Sequence, residues 1–158
     1  MSRKWDRRFV ELATHISGWS KDPSTKVGCV VVGPDREIRS TGFNGFPRGI
    51  ADNLERLGDR ARKYPLVCHA EENAIMHAAR IGVALKGCTA YVTWPPCTRC
   101  ARSLVQAGLK DVVYPSTIVQ GNTLVRNTLD LGHVGWRAST SQLFFDNVEL
   151  TEADVLGE

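Results

Sequence analysis

Two short stretches of the sequence hold residues whose types and spacing could bind a metal ion and move a proton. The first contains His69 and Glu71, and the second contains Pro96, Cys97 and Cys100. One imidazole and two thiolates form an allowed ligand set for a zinc ion that keeps a fourth position open for water. The sequence therefore predicts a single catalytic zinc site with His69, Cys97 and Cys100 as its ligands.

Glu71 lies two residues after the histidine and is not needed as a ligand. A carboxylate beside a metal can accept a proton from an activated water molecule and deliver it to a substrate. We therefore expect Glu71 to act as the general acid and base of a hydrolytic reaction.

The elements that must hold these residues follow from the hydrophobic pattern. Apolar residues recur with helical spacing from His69 to Gly82 and again after Cys97, which predicts two helices that begin at the proposed ligands. The positive end of a helix favours thiolates and other anions. Strands are predicted at 90–93 and 112–114, on either side of the second helix, so the two strands and this helix should form a parallel crossover unit.

The N-terminal part predicts a helix and a hairpin. Helical spacing of apolar residues covers 4–18, and extended β-branched segments at 27–32 and 38–43 flank a Gly-Pro-Asp turn. The Asn44-Gly45 pair then turns the chain.

The remaining segments carry weaker patterns. Residues 47–65 are rich in both charges, which indicates a surface insertion with some helix. Further on, 124–131 predicts a helix, 142–150 a strand and 151–158 a flexible polar tail.

Composition limits the class of protein. The chain has 158 residues, of which 42% are hydrophobic and 23% charged, so a single folded domain over 1–158 is expected rather than a disordered chain. No apolar run is long enough for a membrane span or a signal peptide, which predicts a cytoplasmic protein. The net charge of +3 does not require a nucleic-acid partner. An odd number of cysteines, five, argues against a disulfide framework. We expect Cys29 and Cys88 to be buried and Cys68 not to bind the metal.

The combination of H-x-E with P-C-x-x-C is an established signature of zinc-dependent nucleobase deaminases. Beyond it, the chain resembles the deoxycytidylate deaminases of the cytidine deaminase-like superfamily over roughly residues 5–114. The stretches that carry this resemblance outside the metal motif are Ser20-Lys21-Asp22-Pro23, Val27-Gly28, Gly42-Phe43-Asn44-Gly45, Tyr64-Pro65, Asn73-Ala74-Ile75 and Gln106-Ala107-Gly108.

The resemblance implies a three-layer α/β/α fold with a mixed central sheet of about five strands, and hydrolysis of dCMP to dUMP and ammonia. It further implies that Asn44 contacts the sugar hydroxyl and that the backbone N–H of Ala70 holds the carbonyl oxygen of the base. Lys26 and Arg48 are the basic candidates for nucleotide contacts. A homohexamer, activation by dCTP and inhibition by dTTP, with Mg²⁺ accompanying the effector, are also implied.

Other interpretations stay open at this point. The chain departs from the family around Glu72, Trp94-Pro95 and the segment after Tyr114. A changed pocket could accept a 5-substituted dCMP such as 5-methyl-dCMP. A deaminase of single-stranded nucleic acid would need a basic groove lined with aromatic residues, which the sequence does not indicate. A nucleotide-sensing or structural zinc module would require a closed metal site, whereas three ligands beside Glu71 indicate an open one. A redox-active pair formed by Cys97 and Cys100 leaves His69 and Glu71 without a role.

Overall fold

A computed structural model describes residues 3–115, 117–120, 123–126 and 136–139. Five helices and seven strands lie within these ranges. They are α1 (Arg3–Ser17), β1 (Gly28–Val32), β2 (Ile38–Phe43), α2 (Leu54–Gly58), α3 (Arg60–Lys63), α4 (Ala70–Ile81), β3 (Thr89–Val92), α5 (Thr98–Gln106), β4 (Asp111–Tyr114), β5 (Thr117–Gln120), β6 (Thr123–Arg126) and β7 (Trp136–Ser139).

The central sheet has five strands in the order β2-β1-β3-β4-β7. The pairs β2–β1, β1–β3 and β4–β7 are antiparallel, whereas β3 and β4 run parallel with α5 between them. This confirms the expected mixed sheet and its parallel crossover unit. Strands β5 and β6 form a separate antiparallel pair.

Both faces of the sheet are covered by helices. On one face, Cys29 and Val31 of β1 pack with three alanines of α4 and with Ala101 and Leu104 of α5. On the other face, Val30 and Val32 pack with the apolar stripe of α1, which includes Phe9. Because alternate residues of a strand point to opposite faces, β1 is buried along its whole length. The predicted three-layer α/β/α architecture is therefore confirmed.

Helix α4 lies unusually close to β2. Gly42 makes this possible, since a Cβ atom there would overlap the carbonyl oxygen of Ala70 and the backbone nitrogen of Ala74. Two side chains fix the same contact. Ser40 Oγ donates to the Ala74 carbonyl at 2.7 Å, and Asn73 Nδ2 donates to the Phe43 carbonyl at 2.7 Å. The first turn of α4 is thereby held against the sheet.

The sequence predicted the N-terminal elements to within a residue or two, but not the region beyond 115. The helix predicted at 124–131 is wrong where it can be checked, because Thr123–Arg126 is a strand. The strand expected at 142–150 and the tail at 151–158 lie outside the described residues, and the fifth strand of the sheet is Trp136–Ser139. Within the described ranges, every helix is too short or too polar to cross a bilayer.

We predict that Gly42→Ala lowers the free energy of unfolding by about 1–3 kcal/mol, because the added methyl group has backbone atoms as its neighbours. Chemical denaturation measures this change. Gly58→Ala in α2 is the matched control. A Cβ atom at Gly58 has open space around it, so this variant should be neutral or slightly more stable. If the two variants were equally stable, the close contact between α4 and β2 at Gly42 would be contradicted.

Candidate metal centre and active site

Two of the predicted metal ligands occupy the same structural position, the N-cap of a helix. His69 precedes α4 and Cys97 precedes α5, each with an extended backbone and neither making a side-chain capping hydrogen bond. N-cap positions usually hold Ser, Thr, Asp or Asn, whose side chains bond to the helix. Here the side chains are instead free to point away from the helix toward a shared ligand.

The three ligand atoms converge. Nδ1 of His69 lies 3.5 Å from Sγ of Cys97 and 3.4 Å from Sγ of Cys100, and the three atoms lie within 4.8 Å of one another. With Zn–S bonds of about 2.3 Å and a Zn–N bond of about 2.0 Å, tetrahedral geometry places nitrogen and sulfur roughly 3.5 Å apart. The donor set and its spacing therefore fit a zinc ion. Across the described part of the chain, no second group of three such residues was found.

The protonation of this cluster also favours a cation. Hydrogen bonds from Cys100 and His69 lower the pKa of the Cys97 thiol to about 3. The hydrogen bond to Cys97, together with burial, raises the pKa of Cys100. The hydrogen bond to Cys97 also raises the pKa of His69. A thiolate is thus preferred at Cys97, and a divalent cation would favour the deprotonated form of both thiols.

Glu71 lies in the first turn of α4 and is only 4% exposed. Its carboxyl group interacts electrostatically with His69 and Cys97, which places it beside the proposed metal site. Burial raises the pKa of Glu71 to about 7. A carboxyl group with such a pKa can both accept and donate a proton near neutral pH, as a general acid and base must.

A cavity of about 420 Å³ opens onto this cluster. Its wall includes His69, Ala70, Glu71 and Cys97 on the metal side. The residues that line the rest of it are Asp22, Ser24, Thr25, Val27, Asn44, Arg60, Lys63, Tyr64, Val67, Trp94 and Pro95. The cavity combines apolar and aromatic walls with a few polar groups, which is typical of sites for small molecules.

Comparison with known proteins agrees with this geometry. The family described as "Cytidine and deoxycytidylate deaminase zinc-binding region" matches residues 3–116. The chain belongs to this family. The match covers the helices, the first four strands of the sheet and all residues of the proposed metal centre.

Individual relatives and a solved structure extend this result. An uncharacterised deaminase of Aliivibrio fischeri is 44% identical over 115 residues, which cover 73% of this chain and 75% of that protein. The deoxycytidylate deaminase of Mus musculus is 41% identical over 118 residues, covering 72% of this chain and 65% of the mouse protein. The structure of dCMP deaminase from cyanophage S-TIM5 in complex with dCMP and dUMP matches 90% of this chain and 94% of that one, with 28% identity and a TM-score of 0.68.

Of the four residues predicted to bind substrate, two line the cavity and two do not. Ala70 is fully buried and lines the cavity, and as the first residue of α4 it has an N–H without a partner inside the helix. Asn44 also lines the cavity and is 7% exposed. Lys26 and Arg48 are exposed and are not among the lining residues. The ligand contacts of all four residues stay predictions.

The structure adds lining residues that the sequence did not indicate. Arg60, Lys63 and Tyr64 come from segment 47–65, which is mostly exposed and contains two short helices. Leu57 and Lys63 are buried within it. Lys63 stands among charged residues of the same kind in the sequence. Nothing in that run of charges distinguishes the buried Lys63 from the exposed Arg60 and Arg62.

The three remaining cysteines and Glu72 lie outside the group of proposed metal ligands. Cys29 and Cys88 are fully buried, as predicted. Cys68 is half-buried and does not belong to the metal-binding group. Glu72 Oε2 lies 3.5 Å from Arg99 Nη2, so this ion pair joins the first turns of α4 and α5.

We predict that Cys100→Ser removes zinc from the protein and lowers its stability, because metal binding and ordering of the two helix starts are linked. Elemental analysis after dialysis against a weak chelator measures the zinc content, and a thermal scan measures the loss of stability. Cys68→Ser is the matched control and should keep one zinc ion per chain. Retention of zinc by Cys100→Ser would exclude this residue as a ligand.

Proposed function

We propose that this protein is a zinc-dependent hydrolase that deaminates dCMP to dUMP and releases ammonia. The observation that carries this proposal is the convergence of His69, Cys97 and Cys100 next to the buried carboxyl group of Glu71, at a cavity typical of sites for small molecules. The similarity to deoxycytidylate deaminases, and to a phage enzyme with dCMP and dUMP bound, supports dCMP as the substrate.

Glu71 performs the proton transfers in this reaction. His69, Cys97 and Cys100 would hold the zinc ion, which would supply an activated water molecule for attack on C4 of the cytosine ring. The carboxylate of Glu71 accepts a proton from that water and delivers it to N3 of the base. Glu71 then takes a second proton from the hydroxyl group now on C4 and passes it to the 4-amino group. The C4–N bond breaks, ammonia leaves, and C4 becomes the carbonyl carbon of uracil. Its position in the first turn of α4, adjacent to His69, allows one side chain to serve all these transfers.

The base and sugar are held by the rest of the cavity wall. The N–H of Ala70 can donate to the carbonyl oxygen of the base, because the first N–H groups of a helix have no intrahelical partner. Trp94 and Tyr64 line the cavity with aromatic surfaces, and Asn44, which also lines it, is the proposed contact for the sugar hydroxyl. Arg60 is an exposed cation that lines the cavity and is a candidate for the phosphate, and Lys26 and Arg48 are further candidates.

The finer features implied by the family are also part of this proposal. They comprise one domain over 1–158, a homohexameric assembly, activation by dCTP and inhibition by dTTP with Mg²⁺ at the effector, and a cytoplasmic location. The substrate is a free nucleotide rather than a nucleic acid, because the described cavity is small and has few aromatic residues beyond Tyr64 and Trp94.

The function is tested by an ultraviolet deamination assay on dCMP, 5-methyl-dCMP, CMP, deoxycytidine, dCTP and a cytosine-containing oligonucleotide. Zinc content is measured on the same sample. We expect the highest kcat/KM with dCMP. A higher value with 5-methyl-dCMP would change the assigned base, and activity on the oligonucleotide alone would refute the proposal.

We predict that Glu71→Gln lowers kcat for dCMP by about 10²–10⁴-fold, because the amide keeps the shape of the side chain but cannot accept the proton. Zinc content should remain at one ion per chain, since Glu71 is not a ligand. Steady-state kinetics measures kcat, and elemental analysis measures the zinc content. A Glu71→Gln protein with the full rate would show that another group moves the protons.

A further inference from the structure

A buried ion pair that includes none of the proposed metal ligands lies in the wall of the cavity. Nζ of Lys63 is 2.6 Å from Oδ2 of Asp22, and the two side chains are 10% and 1% exposed. Lys63 ends α3 within the otherwise exposed segment 47–65. Burying a lysine is unfavourable unless its charge is paired, so this contact determines where the segment meets the rest of the fold.

The Asp22 carboxylate also accepts hydrogen bonds from three further groups. Its Oδ1 accepts from the backbone N–H of Ser24 at 2.9 Å and of Thr25 at 3.2 Å. Its Oδ2, which contacts Lys63, also accepts from Nδ2 of Asn44 at 3.2 Å. Burial raises the pKa of Asp22, but the hydrogen bonds from Lys63 and the two backbone groups outweigh it, so the pKa is lowered and the carboxylate form is favoured.

The orientation of the Asn44 amide follows from these contacts. Its NH₂ group donates to Asp22 and also to the Thr25 carbonyl at 2.8 Å, while Oδ1 accepts from the Val27 N–H at 2.8 Å. Both hydrogens of the amide are therefore used inside the protein. Oδ1 retains one lone pair, so Asn44 can contact a ligand hydroxyl only by accepting from it.

We propose that Lys63 is a positioning residue for the sugar of the substrate, because it holds Asp22 in the geometry that orients the Asn44 amide. This inference rests on the proposed function. Asp22, Asn44 and Lys63 line the same cavity as Glu71, but the ion pair and the hydrogen bond that join these three residues involve neither Glu71 nor a metal ligand. Lys63 should therefore affect substrate binding and leave the chemical step unchanged.

The test compares Lys63→Met, which keeps the apolar stem but removes the charge, with Lys63→Gln and Lys63→Arg. The two neutral variants should raise KM for dCMP by about tenfold, the effect of losing about one hydrogen bond to substrate, with kcat within about threefold of wild type. Lys63→Arg restores the cation and should recover most of the affinity. A rise in KM at constant kcat reports lost binding rather than lost chemistry.

A double-mutant cycle with Asn44→Ala separates an indirect role from a direct one. If Lys63 acts through Asn44, then Lys63→Met should add little to the KM of Asn44→Ala. Arg62→Met is the matched control, because it removes an exposed cation from the same helix outside the cavity, and its KM should equal that of wild type. Zinc content and the denaturation midpoint establish that each variant is folded.

Several results would overturn the role of Lys63. These are an unchanged KM in both neutral variants, a fall in kcat at constant KM, fully additive effects of Lys63→Met and Asn44→Ala, or failure of both neutral variants to fold. The last result would make the ion pair purely structural. A wild-type protein that binds zinc but does not deaminate dCMP would instead refute the proposed function, before any variant is compared.

Discussion

The site depends on one constraint: α4 and α5 begin close enough together for the side chains at their N-termini to share a ligand. His69 and Cys97 are the N-cap residues of α4 and α5, and Cys100 follows in the first turn of α5. Because these side chains make no capping bonds to their own helices, a metal ion would take over the role of joining the two helix starts. The positive ends of both helices also point at the place where thiolates and a carboxylate gather.

The packing beneath this point explains how the helices reach it. The face of α4 that meets the sheet consists of Ala70, Ala74 and Ala78, and Gly42 of β2 lies opposite its first turn. Small residues on both sides permit close approach, and Glu71 lies buried in the same first turn of α4. Burial raises the pKa of this carboxyl group, and a raised pKa is what its proposed role as a general acid and base requires.

The sequence revealed those parts of the site that depend on local spacing. The H-x-E and C-x-x-C patterns, the helices that follow them and the strands around α5 are each encoded within a few residues, and these were predicted. The pairing of Asp22 with Lys63 joins positions 41 residues apart, and no local pattern indicates it. The helix predicted over 124–131 is wrong at 124–126, because the apolar residues there fit a helix as well as a strand, and pairing with β5 decides between the two.

The most direct measurement is X-ray absorption at the zinc edge on catalytically active protein. We expect one zinc ion per chain with two sulfur ligands at about 2.3 Å and two nitrogen or oxygen ligands at about 2.0 Å, namely His69 and a water molecule. Four sulfur ligands would indicate a closed structural site, and full activity without bound zinc would contradict the metal-dependent reaction itself.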